Sequence, residues 1–188
     1  MDHYLDIKIL SDPEFPAPML MNVLFTKLHR VLVQLSSSDI GVSFPQIDEQ
    51  RPSIGNMMRL HGHQASLQIL REQDWLKGMR DHIELNDIAP VPNDAKHCQV
   101  KRVQAKSNAG RLRRRYQKRH PDVVDEEVER LIPDTVEKHL ALPYLQLKSE
   151  STGQQFRLFL QHQPVQSPVT KGAFNCYGIS STATVPWF

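Results

Sequence analysis

The first apolar signal along the chain is an alternation. In "HYLDIKIL", Leu5, Ile7 and Ile9 fall on one face, the period-two pattern of a half-buried strand. The next stretch, "PAPMLMNVLFTKLHRVLVQL", changes to helical spacing. Leu20, Leu24, Leu28, Val31 and Leu35 make one stripe, with Met21, Phe25 and Leu32 beside it. Prolines before the helix and "SSSDIG" after it set its ends. "IGVSFPQI" and "MMRLHGH" read as short strands, "ASLQILREQDWLKGMR" as a second helix and "HIELNDI" as a fourth strand. This β-α-β-β-α-β order is the ferredoxin-like pattern shared with RNA-recognition modules. The order alone does not name an activity, because one fold hosts many.

"APVPND", residues 89–94, is rich in proline and marks a boundary between an N-terminal domain, 1–94, and a C-terminal domain, 95–188. Beyond it "HCQVKRVQ" reads as a strand and Arg111 to Arg119 as a helix. "DEEVERLIPDTVEKHLAL" reads as helix broken near Pro133, and "PYLQLKSESTGQQFRLFLQ" as a hairpin turning at Thr152-Gly153. "GAFNCYGIS" and "TVPWF" are expected to close a sheet. The fold class expected is therefore α+β: a ferredoxin-like (RRM-like) domain, then an α+β domain bearing a basic helix.

Composition changes this picture in one respect. At 188 residues, with 39% hydrophobic and 23% charged positions, the chain has ordinary globular content, and its net charge is only +2. The charge is unevenly placed: residues 1–94 hold 8 Lys/Arg against 13 Asp/Glu, and residues 95–188 hold 15 against 8. Such asymmetry points to a polyanion bound by the C-terminal half, with nucleic acid the first candidate. Two cysteines, Cys98 and Cys176, make neither a disulfide framework nor a CxxC pair, which suits a reducing, cytoplasmic setting. "MDHYLDIKIL" lacks the pattern of a secretory signal, and no apolar run is long enough to span a membrane.

The excess charge concentrates between Ala95 and His120, where ten of 26 residues are Lys or Arg and none is Asp or Glu. On a helix, Arg114, Arg115 and Lys118 fall within about 60° of Arg111, with Arg119 on the shoulder. Leu112 and Tyr116 can turn toward the protein body. A solvated helix normally mixes in acids, since like charges at i,i+4 repel by a few tenths of a kcal/mol. Their absence favours a nucleic-acid grip over an ordinary charged surface. Arginine dominates, five of the six cations from Arg111 to Arg119, which suits forked contacts to phosphates or guanine edges.

No metal-ligand set, Gly-rich phosphate loop or GxSxG elbow appears, so the expected chemistry uses no cofactor. His61 and His63 point to one side of a strand without completing a ligand set, and His97 is adjacent to Cys98 in the same incomplete way. RNA offers a route without metal, because its 2′-hydroxyl can attack the adjacent phosphate once a base takes the proton. A histidine suits that role, its ordinary pKa lying near neutrality. Nine histidines compete. His29 lies at the edge of the apolar stripe on the first long helix, about 110° from its centre, where it need not be buried.

Several stretches together resemble one family, the repeat-specific CRISPR RNA endoribonucleases of type I-F systems. They are "MDHYLDI", "LFTKLHR", "IGVSFP", "RVQAKSN", "RLRRR", "IPDTV", "STGQQFRLF", "CYG" and "VPWF", in the family's order over nearly the whole chain. The resemblance implies a protein that binds the stem-loop of CRISPR repeat RNA and cuts at the 3′ base of the stem without metal. It implies a 2′,3′-cyclic phosphate and a 5′-hydroxyl as products. The protein would then stay on the crRNA hairpin and join the subunits of the type I-F surveillance complex.

Carried over by position, the resemblance makes His29 the catalytic histidine, Ser149 the serine that holds the nucleophilic ribose and Tyr177 a tyrosine that arranges the site. Ser151 and Thr152 fall near the scissile nucleotide, and Arg102 and Gln104 at the pair that reads base edges beside the cut. Phe156 matches an aromatic that stacks on the terminal base pair. Arg115 and Arg119 match base- and phosphate-contacting arginines of the basic helix, whose stripe also holds Arg111, Arg114 and Lys118. Without the family, Arg102 and Gln104 read as surface polars of a strand and Phe156 as core. A-form RNA has a deep, narrow major groove, so the basic helix would enter where a short hairpin opens near its end. The sequence departs from the family in having Lys118 for an arginine, Gln155 for a histidine and a one-residue change of spacing before "LKSES". The alternative is a non-catalytic subunit of a CRISPR ribonucleoprotein that caps the RNA hairpin. A DNA-binding regulator is disfavoured, because no helix-turn-helix pattern appears.

Overall fold

In the computed structural model the alternating N-terminal segment is strand β1, His3–Ile9, with Leu5, Ile7 and Ile9 buried. The structure describes residues 1–104, 109–136, 140–149, 153–165 and 171–188. The fold is α+β. Helix α1, Ala17–Gln34, begins at Pro16 and buries Leu20, Met21, Leu24, Phe25, Leu28, Val31 and Leu32. It ends where Ser36 enters the left-handed region at φ 50°. The Ser37 and Ser36 N–H groups then donate to the Leu32 and Val33 carbonyls, the paired bonds of a Schellman terminus.

Strands β2 (Gly41–Ser43) and β3 (Met57–Gly62), helix α2 (Gln64–Glu72) and strand β4 (Ile83–Leu85) follow, in the element order read from the pattern. The sheet order is β2-β3-β1-β4, and the short β5, Ala89–Pro90, pairs with β1. Antiparallel register sets Leu5 against Leu60 and Ile7 against Met58, so the buried faces of β1 and β3 coincide. The second helix is shorter than expected and stops before Gln73, which is extended at φ −73°, ψ 142°. Four residues beyond buried Leu70, a continued helix would carry Asp74 onto the core face. The turns that replace it leave Asp74 outside, paired with Arg80 at 3.2 Å, and still bury Trp75 and Met79.

A second sheet has the order β7-β8-β6-β9, from β6 (Lys96–Val103), β7 (Tyr144–Lys148), β8 (Gln155–Val165) and β9 (Val185–Trp187). The hairpin of β7 and β8 is present, with Leu145 opposite Leu158 and Leu147 opposite Phe156. Its expected turn at Thr152-Gly153 lies partly outside the described residues; Gly153 has φ +68°. Leu145, Leu147, Leu158 and Leu160 join α1 and the first sheet in one core. Of the two expected closing strands only "TVPWF" forms one. "GAFNCYGIS" is a turn instead, because the Asn175 side chain takes backbone N–H groups that a ladder would use.

By contacts the chain groups into Met1–Arg102 with Leu142–Phe188 as one unit and Val103–Ala141 as another, which differs from a division at 94/95. The second unit holds helices α3 (Ala109–Arg119) and α4 (Asp125–Leu131). Among the described residues no helix is long and apolar enough to cross a membrane.

Candidate active site and nucleic-acid interface

Histidine 29 sits on α1 one residue past buried Leu28, half-buried, at the edge position that the apolar stripe assigns it. Its Nδ1 lies 2.9 Å from the carbonyl oxygen of Cys176. A carbonyl only accepts, so Nδ1 carries the proton and donates it, and Nε2 is left with the lone pair. The ring is stacked on Tyr177, centroids 4.1 Å apart and planes 7° apart, and Phe25 lies parallel to Tyr177 at 6.2 Å. Tautomer and ring plane are thus both set by residues 176 and 177.

Those two residues are held by a turn the sequence encodes locally. The Asn175 side-chain oxygen accepts from the Tyr177 and Ile179 N–H groups at 2.9 and 3.2 Å. The Gly178 N–H closes the turn on the Asn175 carbonyl at 2.8 Å, and the Gly178 carbonyl accepts from Val42 of β2 at 2.9 Å. Gly178 has φ +68°, and a Cβ there would stand 2.3 Å from Val42 Cγ2. Only glycine satisfies both demands.

His29 opens onto a cleft of about 250 Å³ lined by Thr26, Leu147, Lys148, Ser149, Phe156 and Tyr177. Ser149 follows β7, its N–H donating to the Gln154 carbonyl at 2.9 Å and its own carbonyl accepting from Gly153 at 2.8 Å. Burial raises the Tyr177 phenol above its ordinary value, Cys176 adds to the rise and Arg102 opposes it. The phenol therefore keeps its proton at neutral pH and is a hydrogen-bond donor. The Arg102 guanidinium stands over the Phe156 ring at 5.8 Å. Four expected site residues, His29, Ser149, Phe156 and Tyr177, thus line one cleft, and Arg102 lies against one of its walls.

Gln104 is exposed and falls one residue beyond β6, so the strand expected over "HCQVKRVQ" ends at Val103. Ser151 and Thr152 lie outside the described residues. On α3, Arg111, Arg114, Arg115, Lys118 and Arg119 are all exposed, and Leu112 and Tyr116 are half-buried. Arg113 differs from its neighbours: its Nε donates to the Ile132 carbonyl and its Nη2 to Asp134, both at 2.8 Å. It ties α3 to the segment after α4, which leaves the opposite face uniformly cationic.

The expectation that His61 and His63 share one side of a strand is corrected. β3 ends at Gly62, so His61 is buried with Nε2 2.8 Å from Ser43 Oγ, and His63 is exposed before α2. Sequence reasoning missed Thr26, Lys148 and the Cys176 carbonyl. Thr26 had a signal, lying one turn before His29 on the same helix face. Lys148 had only its adjacency to Ser149. A backbone carbonyl has none.

A family model described as a CRISPR-associated protein (Cas_Csy4) matches residues 4–188. The chain is 50% identical over 188 residues to a CRISPR-associated endonuclease Cas6/Csy4 of Pseudomonas aeruginosa (strain UCBPP-PA14), covering all of both chains. It is 44% identical, again over the whole of both chains, to one of the same description from Escherichia coli (strain UTI89 / UPEC). A match of this length and identity is decisive: the chain belongs to the Csy4 family of CRISPR-associated proteins.

Proposed function

We propose that this protein is a CRISPR repeat endoribonuclease working without metal. Its substrate is the repeat stem-loop, cut at the 3′ base of the stem by the 2′-hydroxyl of the nucleotide before the break. His29 Nε2 takes the 2′-proton, Ser149 holds the ribose, and Tyr177 keeps the imidazole in its plane. Phe156 stacks on the terminal base pair, with Arg102 and Gln104 on base edges beside the cut and Ser151 and Thr152 near the scissile nucleotide. Arg111, Arg114, Arg115, Lys118 and Arg119 hold the hairpin. The products are a 2′,3′-cyclic phosphate and a 5′-hydroxyl, and the protein stays on the crRNA hairpin within the type I-F surveillance complex. In this reading residues 1–94 form a ferredoxin-like half that carries the base, and residues 95–188 the half that grips RNA.

The observation that carries the reading is the bond from His29 Nδ1 to the Cys176 carbonyl, which leaves Nε2 as a proton acceptor in the same cleft as Ser149. The two relatives named as endonucleases support the same class of activity. The test is cleavage of a repeat stem-loop in EDTA. Cleavage is expected with wild type, and is expected to be lost with His29→Ala or with a 2′-deoxy nucleotide at the cut. Tight binding without cleavage would replace the enzyme by a hairpin-capping subunit.

A further inference from the structure

Attack of a 2′-oxygen on a phosphodiester adds negative charge to the two non-bridging oxygens, and a site that answers that charge lowers the barrier. We infer that Lys148 supplies the answering charge to the scissile phosphate, an inference that rests on the endoribonuclease reading above. Among the described residues lining the cleft, Lys148 alone is a Lys or Arg. His29 gains a positive charge only as the 2′-proton arrives. Thr26 and Ser149 are neutral, and the Thr26 hydroxyl donates to the Asn22 carbonyl at 2.7 Å. Arg102 lies over the outer wall at Phe156 and is not among the lining residues.

Lys148 is also placed on a rigid element. It is the last residue of β7, opposite Gln155 of β8, and the next residue is clamped by the two backbone bonds of Ser149. The Gln155 side-chain oxygen already accepts from Gln146 at 2.9 Å. Among the described residues no carboxylate pairs with Lys148.

The step balances without a change in Lys148. The 2′-proton goes to His29 Nε2, the 2′-oxygen bonds to phosphorus, and the P–O5′ bond breaks with its electron pair on O5′. Water protonates O5′, and the hydroxide so formed is neutralised by the proton on His29. Lys148 keeps its protons throughout and acts on the charge of the phosphorane.

The experiment compares wild type, Lys148→Met and Lys148→Arg in single-turnover cleavage of a repeat stem-loop, with hairpin affinity measured separately. Lys148→Met is expected to cleave about 10²–10³-fold more slowly, with hairpin affinity changed by no more than about threefold, and Lys148→Arg to recover most of the rate. Lys148 is exposed, so neither change disturbs the core. An undiminished rate in Lys148→Met, while His29→Ala is inactive, overturns the role of Lys148 and leaves the endoribonuclease reading standing. Equal losses of rate and affinity overturn it in favour of simple binding. A substrate with sulfur at the 5′-bridging position leaves without needing a proton; if it restores the Lys148→Met rate, Lys148 is a proton donor and the electrostatic role is wrong. If wild type cuts no repeat stem-loop, the reading itself fails and takes this inference with it.

Discussion

Two glycines with the same backbone angle separate conformation from space at the residue scale. Gly153 and Gly178 both have φ +68°, but an added Cβ meets nothing within 4 Å at Gly153 and lies 2.3 Å from Val42 Cγ2 at Gly178. Gly153→Ala should cost about 1 kcal/mol, the left-handed penalty alone. Gly178→Ala adds overlap in a packed site and should cost more than about 2 kcal/mol. Because residues 176 and 177 set the tautomer and plane of His29, the cleavage rate should fall at Gly178 further than at Gly153. Urea denaturation and single-turnover rates of the two variants read both effects, and equal losses would refute the role given to the turn.

Helix α3 shows how one element divides its arginines between structure and surface. Arg113 is 20% exposed and bonded to Ile132 and Asp134, whereas Arg114 and Arg115 are exposed. Arg115→Ala should weaken hairpin binding and lower the slope of log affinity against log salt by about 1, with stability unchanged. Arg113→Ala should instead destabilise by about 1–2 kcal/mol through its lost hydrogen bonds. Affinity titrations over a salt series, beside thermal melts, distinguish the two. An Arg115 variant with wild-type affinity at moderate salt would remove α3 from the interface.

At the scale of the whole molecule, two histidines buried among the strands, His61 and His162, contribute to the response to acid. Asp6 and Arg59, register partners on β1 and β3, form a two-pronged ion pair at 2.7 and 2.8 Å. The same guanidinium donates to the Phe188 carbonyl at 2.9 Å and stands 3.9 Å from the Phe188 ring centre. Nearby histidines are held neutral by burial. His61 is pushed down from 6.5 to about 3, with the Arg59 charge adding to burial, and His162 from 6.5 to about 4. His162 Nε2 accepts from the Phe44 N–H at 3.1 Å, a bond that protonation at Nε2 destroys. Between these lowered values and 6.5 the unfolded chain binds more protons than the folded one. Stability is therefore held above about pH 6.5 and lost as pH falls toward 4, each histidine contributing a slope of up to about 1.4 kcal/mol per pH unit. Urea midpoints at pH 7.5 and pH 5 should differ accordingly; equal midpoints would mean that the folded state protonates these histidines freely.

Local pattern alone determined much of this protein. The period of Leu5, Ile7 and Ile9, the stripe of α1, the β7–β8 hairpin and the exposed cationic face of α3 all follow from near-neighbour spacing, which is a property of one element at a time. Family resemblance named His29, Ser149, Phe156 and Tyr177 but carried no distances. Where spacing failed, the cause was a side chain whose polar group overrode the apolar pattern of its own segment. Asp74 could not face the core beside Leu70, so α2 stopped; Asn175 took the N–H groups of the "CYG" segment, so a strand became a turn. Only the tertiary structure decided which nitrogen of His29 carries a proton, because its partner, the Cys176 carbonyl, lies 147 residues away and is a backbone atom that every residue possesses. The same folding that brings residue 176 to α1 puts Lys148 beside His29, and neither juxtaposition has a spacing to read.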